Sequence, residues 1–376
     1  MLDSSSTVGN TTAEIPSGAA ILTVTHAKTS EGTLRTQSPA DRSLDQWRGL
    51  ALLLVLISHG FFHTGRVPGV GRAGVNLFFF ISGILVFRSL SRGPQDSVIG
   101  SRYFWVRRIK RLVPAKYFYL LCMTLLVVVA PLAPITADFR RSFLDSLPSA
   151  FLYYLNYYSP LDLGVRENLA GHLWSLACEM QFYILAPLIF FAGGKTTARR
   201  LAVFGAILAV FLIGGLSVIG KARYDPYTFG VAAWPMMAGF FAEFLRSTFP
   251  KQCTPWGKLL VWCGMISLIA FIPALILASK KGVILAGTLL VAGCFGCYLR
   301  GIAPQGLLGN AFHFLGNRTY SIYLWQQPLT IGGIVPQVLH PLGSLLAIPI
   351  GALSFRFFER PFMSKYKVKE QPPQVA

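Results

Sequence analysis

Long apolar runs dominate the chain. Ten of them, 48–63, 74–91, 114–134, 173–193, 202–219, 229–246, 258–278, 283–300, 318–338 and 341–359, are long enough to cross a bilayer. About 20 residues suffice for a crossing, fewer where flanking side chains reach the interface. Pro falls inside the third and ninth runs, as membrane helices tolerate where neighbours satisfy the freed backbone. The pattern predicts an all-α integral membrane protein, a bundle of about ten transmembrane helices. Residues 1–43 are rich in Ser, Thr and Gly with no sustained apolar run, and read as a disordered cytoplasmic tail. Residues 19–22 are too brief for a signal-peptide core, so the first span itself is expected to direct insertion. The membrane domain is expected over 44–362, with a polar cytoplasmic tail over 363–376.

Composition supports the same class. Of 376 residues, 53% are hydrophobic and 13% charged, against about 25% charged in an ordinary soluble domain. Soluble enzymes are thereby excluded. The chain carries 34 Lys and Arg against 15 Asp and Glu, a formal net charge of +19. In a soluble protein that excess would suggest nucleic acid. Here the cations concentrate in the segments that ten crossings place inside, 92–116 above all, which predicts both termini in the cytoplasm and no nucleic-acid partner. A multi-pass protein of the cell's inner (plasma) membrane is expected, with membrane lipid as surroundings. Cys294 and Cys297 have the spacing of a zinc half-site, but their neighbours are apolar, and no metal site is expected.

Ionisable groups inside apolar runs need a reason, because charge in hydrocarbon is costly. Arg48 and His59 are eleven residues apart, about three turns and 16 Å along one face of the first helix. They fit a general base beside a cation, with Asp45 as acidic partner, and equally a snorkelling Arg and a packed His. Asn76 and Ser82 are polar positions in the second run, where small residues also serve helix packing. Arg107, Arg108 and Arg111 share a basic aromatic stretch that suits a phosphate ligand, or a helix lying on anionic lipid. His172, Ser175, Glu179 and Tyr183 fall at i, i+3, i+7 and i+11, a polar stripe down one face. Depth along the helices predicts Glu179 level with His59. Glu243 has Arg246 three residues on, and a local ion pair accounts for it.

Read together and in order, these blocks resemble acyltransferase family three, integral-membrane enzymes that O-acylate O-antigens, exopolysaccharides, Nod factors, peptidoglycan and some macrolides. The matching residues are Leu44, Asp45, Arg48, Gly49 and His59, then Val75, Asn76, Ser82 and Gly83. Arg107, Arg108, Arg111 and Pro114 follow, then Trp174, Ser175, Glu179, Phe182 and Tyr183. Last come Leu315, Gly316, Tyr320, Tyr323, Trp325 and Pro328, and the closing Phe358, Glu359, Arg360 and Pro361. The resemblance implies His59 as catalytic base, paired with Arg48. It implies Glu179 as the membrane glutamate and Arg107, Arg108 and Arg111 as the arginine motif for an acyl-CoA donor, usually acetyl-CoA. No tightly bound cofactor is implied.

Three positions depart from the pattern. Asn76 stands where the family often has Asp or Glu, Gln46 where it has a small residue, and Gln326 where His is common. Glutamine hydrogen-bonds but does not titrate near neutrality, so Gln326 is expected to position substrate. Asp45, Asn76, Ser82, His172, Ser175, Tyr183, Tyr323 and Gln326 are together expected on the substrate side. No SGNH-type domain follows the last run, which implies transfer completed in the membrane domain or handed to a partner.

The expected reaction moves an acyl group from acyl-CoA to a hydroxyl of a carbohydrate acceptor, cell-surface polysaccharide or its lipid-linked precursor. Glu179 would hold the acceptor or share the proton. A small-molecule acceptor such as a macrolide is the alternative. From another class, a transporter or flippase for a saccharide or anionic substrate could use the same buried groups.

Overall fold

A computed structural model of the chain describes residues 39–61, 70–92, 102–129, 135–158, 168–217, 227–276, 280–302, 304–330 and 335–364. The expected tails fall outside them, apart from 39–43, which are helical, and 363–364. Among the described residues the protein is all helix and turn, without strands.

The helices are α1 (Pro39–Phe61), α2 (Val70–Ser91), α3 (Arg102–Val129), α4 (Ala137–Phe151), α5 (Trp174–Ala192), α6 (Thr197–Ser217), α7 (Trp234–Thr248), α8 (Pro250–Ile276), α9 (Lys280–Leu299), α10 (Gly306–Asn317), α11 (Thr319–Thr330) and α12 (His340–Ser354). A π-helical turn, Phe355–Glu359, continues α12. Each apolar run overlaps one of these helices, with α4 and α10 in addition. Five stretches among the described residues are long and apolar enough to cross a membrane: Val70–Ser91, Phe104–Val129, Gly171–Ala192, Thr197–Gly214 and Gln337–Met363. With the apolar composition they make this a membrane protein of several passes.

Two expectations change in detail. The basic stretch holding Arg107, Arg108 and Arg111 is continuous with the span that follows, since α3 runs unbroken through Pro114. Within the ninth run α11 covers Thr319–Thr330, and a separate 3₁₀ turn, Gln337–Leu339, lies at the run's far end.

Close backbone approaches set how the helices pack. Among membrane helices, packing and polar contacts replace the hydrophobic drive, so small residues gather where backbones meet. A side chain at Gly83 of α2 would strike the Met236 carbonyl of α7, and one at Gly239 of α7 would strike the Phe80 carbonyl of α2. Gly264 and Gly293 pack α8 on α9 in the same reciprocal way. Gly49 of α1 lies on the Phe312 carbonyl, and Gly316 of α10 on the Asp45 carbonyl. Between these seams lies an aromatic core in which Phe87 meets Phe190, Phe204, Phe240 and Phe244 edge-on, at centroid separations of 5.1–6.4 Å.

The α2–α7 seam predicts that Gly83→Val or Gly239→Val destabilises the protein by about 1–3 kcal/mol or more, the usual range for overpacking. Thermal unfolding in detergent should show a lowered Tm for each. A variant melting with the wild type would refute the close approach.

Candidate active site

Helical period brings the polar residues of α1 onto one inward face. At its lower end Arg48 is buried, 5% exposed, with Nη1 3.6 Å from Asp45 Oδ1 one turn away. Its guanidinium lies over the Phe78 ring, 5.5 Å from the centroid. Arg111 of α3 belongs to the same layer. Its Nε is 3.5 Å from Oε1 of Glu359, a carboxylate 1% exposed that the π-helical turn directs inward. Ser321 of α11 donates to Glu359 Oε2 at 2.8 Å. Arg48 and Arg111 both lie within electrostatic range of Asp45, Glu179 and Glu359.

Glu179, 3% exposed, is the third carboxylate of this layer. Ser82 of α2 donates to its Oε1 at 2.8 Å, and the Tyr183 hydroxyl, one turn along α5, donates to the same oxygen. Arg108 Nη1 donates in turn to Tyr183 Oη at 3.3 Å, and its guanidinium lies over the Tyr183 ring at 4.9 Å. Of the three α3 arginines, Arg108 and Arg111 therefore reach toward the buried carboxylates, while Arg107 is exposed.

His59 belongs to a second layer, about three turns along α1. Its Nδ1 is 2.7 Å from Gln326 Oε1 of α11. An amide oxygen only accepts, so Nδ1 carries the proton and the basic lone pair falls on Nε2. Thr330 holds Gln326 from the other side, with Oγ1 2.8 Å from the Gln326 carbonyl and 3.2 Å from Oε1. Gln326, expected on the substrate side, lies in contact with His59.

His172 completes this layer. It lies in the turn before α5, pinned by its neighbours. Asn168 accepts from the Ala170 N–H at 2.8 Å, its carbonyl accepts from Gln327 Nε2 at 3.0 Å, and Tyr119 donates to the Leu169 carbonyl at 2.7 Å. The His172 ring is 4% exposed, set edge-on to Tyr119 and Tyr323, and within electrostatic range of His59. Ser175 Oγ lies 2.8 Å from Tyr323 Oη, which donates to the His172 carbonyl at 2.9 Å. The expectation of equal depth is thus amended: His172 lies with His59, whereas Glu179 lies with Arg48.

Among the described residues, four polar groups expected to meet substrate lack a hydrogen-bond partner: Asn76 Oδ1, both ring nitrogens of His172, and Gln326 Nε2. Buried orphans cost about 1–3 kcal/mol each, and in native proteins they mark ordered water or a ligand. One turn before Asn76, the Arg72 guanidinium lies over Trp174 at 5.0 Å and over Tyr227 at 5.8 Å. Arg72 and Glu359 are the site residues that spacing did not reveal. Arg72 opens α2 where a cation reads as an interfacial anchor, and Glu359 has Arg360 beside it in sequence, which suggests a local pair.

Removing one member of a buried pair strands the other, at a cost of about 3–5 kcal/mol. Arg111→Met should therefore destabilise the protein strongly. Arg111→Met with Glu359→Gln should cost clearly less than the two single changes summed. A thermal double-mutant cycle in nanodiscs measures this, and strict additivity would show that the two groups are uncoupled.

The sequence profile of an acyltransferase domain matches residues 41–355. The chain is 26% identical to the peptidoglycan O-acetyltransferase OatA of Listeria monocytogenes over 357 residues, covering 85% of this chain and 55% of that protein. To the O-acetyltransferase OatA of Staphylococcus aureus (strain NCTC 8325) it is 26% identical over 350 residues, 86% of this chain and 57% of that protein. The chain thus spans little more than half the length of these curated relatives. No solved structure matches it. The match runs from the helix carrying Arg48 and His59 to the end of α12, stopping short of Glu359, and the chain belongs to acyltransferase family three.

Proposed function

We propose that this chain is a membrane O-acetyltransferase, moving an acetyl group from acetyl-CoA to a hydroxyl of a carbohydrate acceptor, cell-surface polysaccharide or its lipid-linked precursor. The observation that carries the reading is the His59–Gln326 contact, which sets one tautomer of a histidine deep in a membrane domain beside unpartnered buried polar groups. The names of the matched relatives support the acetyl group and the hydroxyl acceptor.

In this reading His59 Nε2 takes the proton of the acceptor hydroxyl as its oxygen attacks the thioester carbonyl. The carbon–sulfur bond breaks, and the departing CoA sulfur receives that proton from the imidazolium. Acetyl ester and free thiol are the products, and nothing is oxidised or reduced. His172 and Asn76 hold the acceptor through the groups that lack protein partners. Gln326 is a positioning residue: it acts through His59 and presents its amide N–H to the reacting groups. Arg107, Arg108 and Arg111 attract the donor's phosphates to the N-terminal end of α3, and the charge bias supports a cytoplasmic position for that end in an inner-membrane protein with both termini inside. Arg48 and Glu179 do not reach the reacting atoms in this arrangement. They belong to the charged layer beneath, with Arg48 a fixed positive charge on the donor's route.

The test is mass spectrometry of surface glycans from the host, from a strain lacking the gene, and from a strain carrying His59→Ala with the protein still in the membrane. Loss of acetyl groups in both altered strains is expected. Unchanged glycans in both would reject the polysaccharide acceptor and direct the search to small molecules such as macrolides. Acetyl-CoA consumption that survives His59→Ala in purified protein would remove His59 from the chemistry.

Gln326 gives a finer test. Gln326→Leu abolishes the contact that sets the tautomer and should lower kcat about 10- to 100-fold with little change in the KM for acetyl-CoA. Gln326→Glu also accepts from Nδ1, and should retain far more activity than Gln326→Leu. Equal activities in the two variants would refute a positioning role.

A further inference from the structure

A second cationic centre lies away from the site just described, where α1 begins and α2 and α7 end. Its pivot is Glu243 of α7, 2% exposed. Arg246 donates to it twice, from Nε at 2.8 Å and Nη2 at 2.7 Å. Arg88 of α2 donates from Nε at 2.8 Å, and the Tyr298 hydroxyl of α9 at 2.9 Å. Arg88 also donates from Nη1 to Asp41 at 3.0 Å and from Nη2 to the Tyr298 hydroxyl. The local pair expected from Glu243 and Arg246 is present, then, within a larger network spanning four helices.

Beside this network opens a cavity of about 440 Å³, lined by Arg88, Arg92, Arg200 and Arg246 together with Asp41 and Glu243. Four guanidinium groups meet two carboxylates there, so two positive charges are in excess among the described lining residues. Glu243 fixes Arg88 and Arg246 so that both line the cavity without rearrangement, and the hydroxyl of Thr248 lines it too. Planar guanidinium forks held in place match the oxygens of a phosphate, and the volume is that of a small-ligand pocket.

The geometry points to a binding site for an organic phosphate, its dianionic group held among Arg88, Arg92, Arg200 and Arg246 and separate from the arginines of α3. The phosphate can come from a soluble nucleotide or from a membrane lipid headgroup, and the experiment separates the two sources. Purified full-length protein is placed in nanodiscs of zwitterionic lipid and titrated with adenosine 3′,5′-bisphosphate by calorimetry. In a second arm its Tm is compared between zwitterionic discs and discs containing phosphatidylglycerol. Both arms are repeated with Arg92→Ala/Arg200→Ala, which leaves Arg107, Arg108 and Arg111 intact.

Saturable bisphosphate binding weakened at least tenfold in the double variant supports the site with a nucleotide ligand. A rise in Tm with phosphatidylglycerol that the double variant loses supports it with a lipid ligand. Neither binding nor a rise in the wild type overturns the proposal, and so does a double variant that behaves as the wild type in both arms. Should the double variant not fold, Arg92→Ala alone is used, since Arg92 is exposed and makes a benign change; a threefold weakening is then the expected result, and no weakening overturns it.

Discussion

Charge neutralisation inside a low-dielectric slab is the constraint on which the rest of this structure depends. Moving an isolated ion out of water costs far more than any single helix contact returns. Arg48, Arg111, Asp45, Glu179 and Glu359 persist there by facing one another, and they come from four stretches of chain: α1, which supplies both Arg48 and Asp45, α3, α5 and the turn after α12. A helix that drifts by one turn leaves two opposite charges unmatched. The layer thereby acts as a register mark for four elements whose apolar surfaces could slide past one another at little cost. The glycine seams are its complement. They let α1 and α10, and α2 and α7, meet backbone to backbone, which side chains at these positions would prevent.

The reactive layer can be sparsely charged because the layer beneath it is not. His59 meets a neutral amide, and His172 meets aromatic rings and a hydroxyl-bearing shell. About 16 Å of α1 separates this region from Arg48. Aromatic packing around His172 keeps its ring from water.

Much of this was legible in one sequence. Arg48 and His59 share a face because eleven residues are close to three whole turns, and the stripe from His172 to Tyr183 follows from the same period. Apolar runs located the membrane helices, since spans need length above all. Two helices escaped for opposite reasons. In α4, Asp138, Arg140, Arg141 and Asp145 break the apolar run, so a helix with one apolar face reads as loop. In α10, twelve residues with Gly309 and Gly316 are too few to span, and their role is to lie against α1. The helix carrying Glu179 starts within one residue of where hydropathy puts it, but which of its turns lies level with His59 depends on tertiary contacts, with Asn168, Gln327 and Tyr119 fixing the turn that holds His172. The partner of His59 lies 267 residues away and follows from no local pattern.

Glutamine opposite the base has a consequence for the proposed chemistry. A carboxylate at that position would stabilise the imidazolium and make it persist, leaving a charged pair to be held in hydrocarbon through the catalytic cycle. A neutral amide fixes the ring and its tautomer without that stabilisation. In the proposed reaction the imidazolium is met by the negative charge developing on the thioester, first on the carbonyl oxygen and then on sulfur. That charge collapses onto sulfur as the proton is handed over, so the layer returns to neutrality with each turnover. Permanent charge stays with Arg48, Arg111 and their carboxylates, where it is matched, and transient charge arises at His59, where it cancels within the reaction. The separation of the two layers is what makes both affordable in one membrane domain.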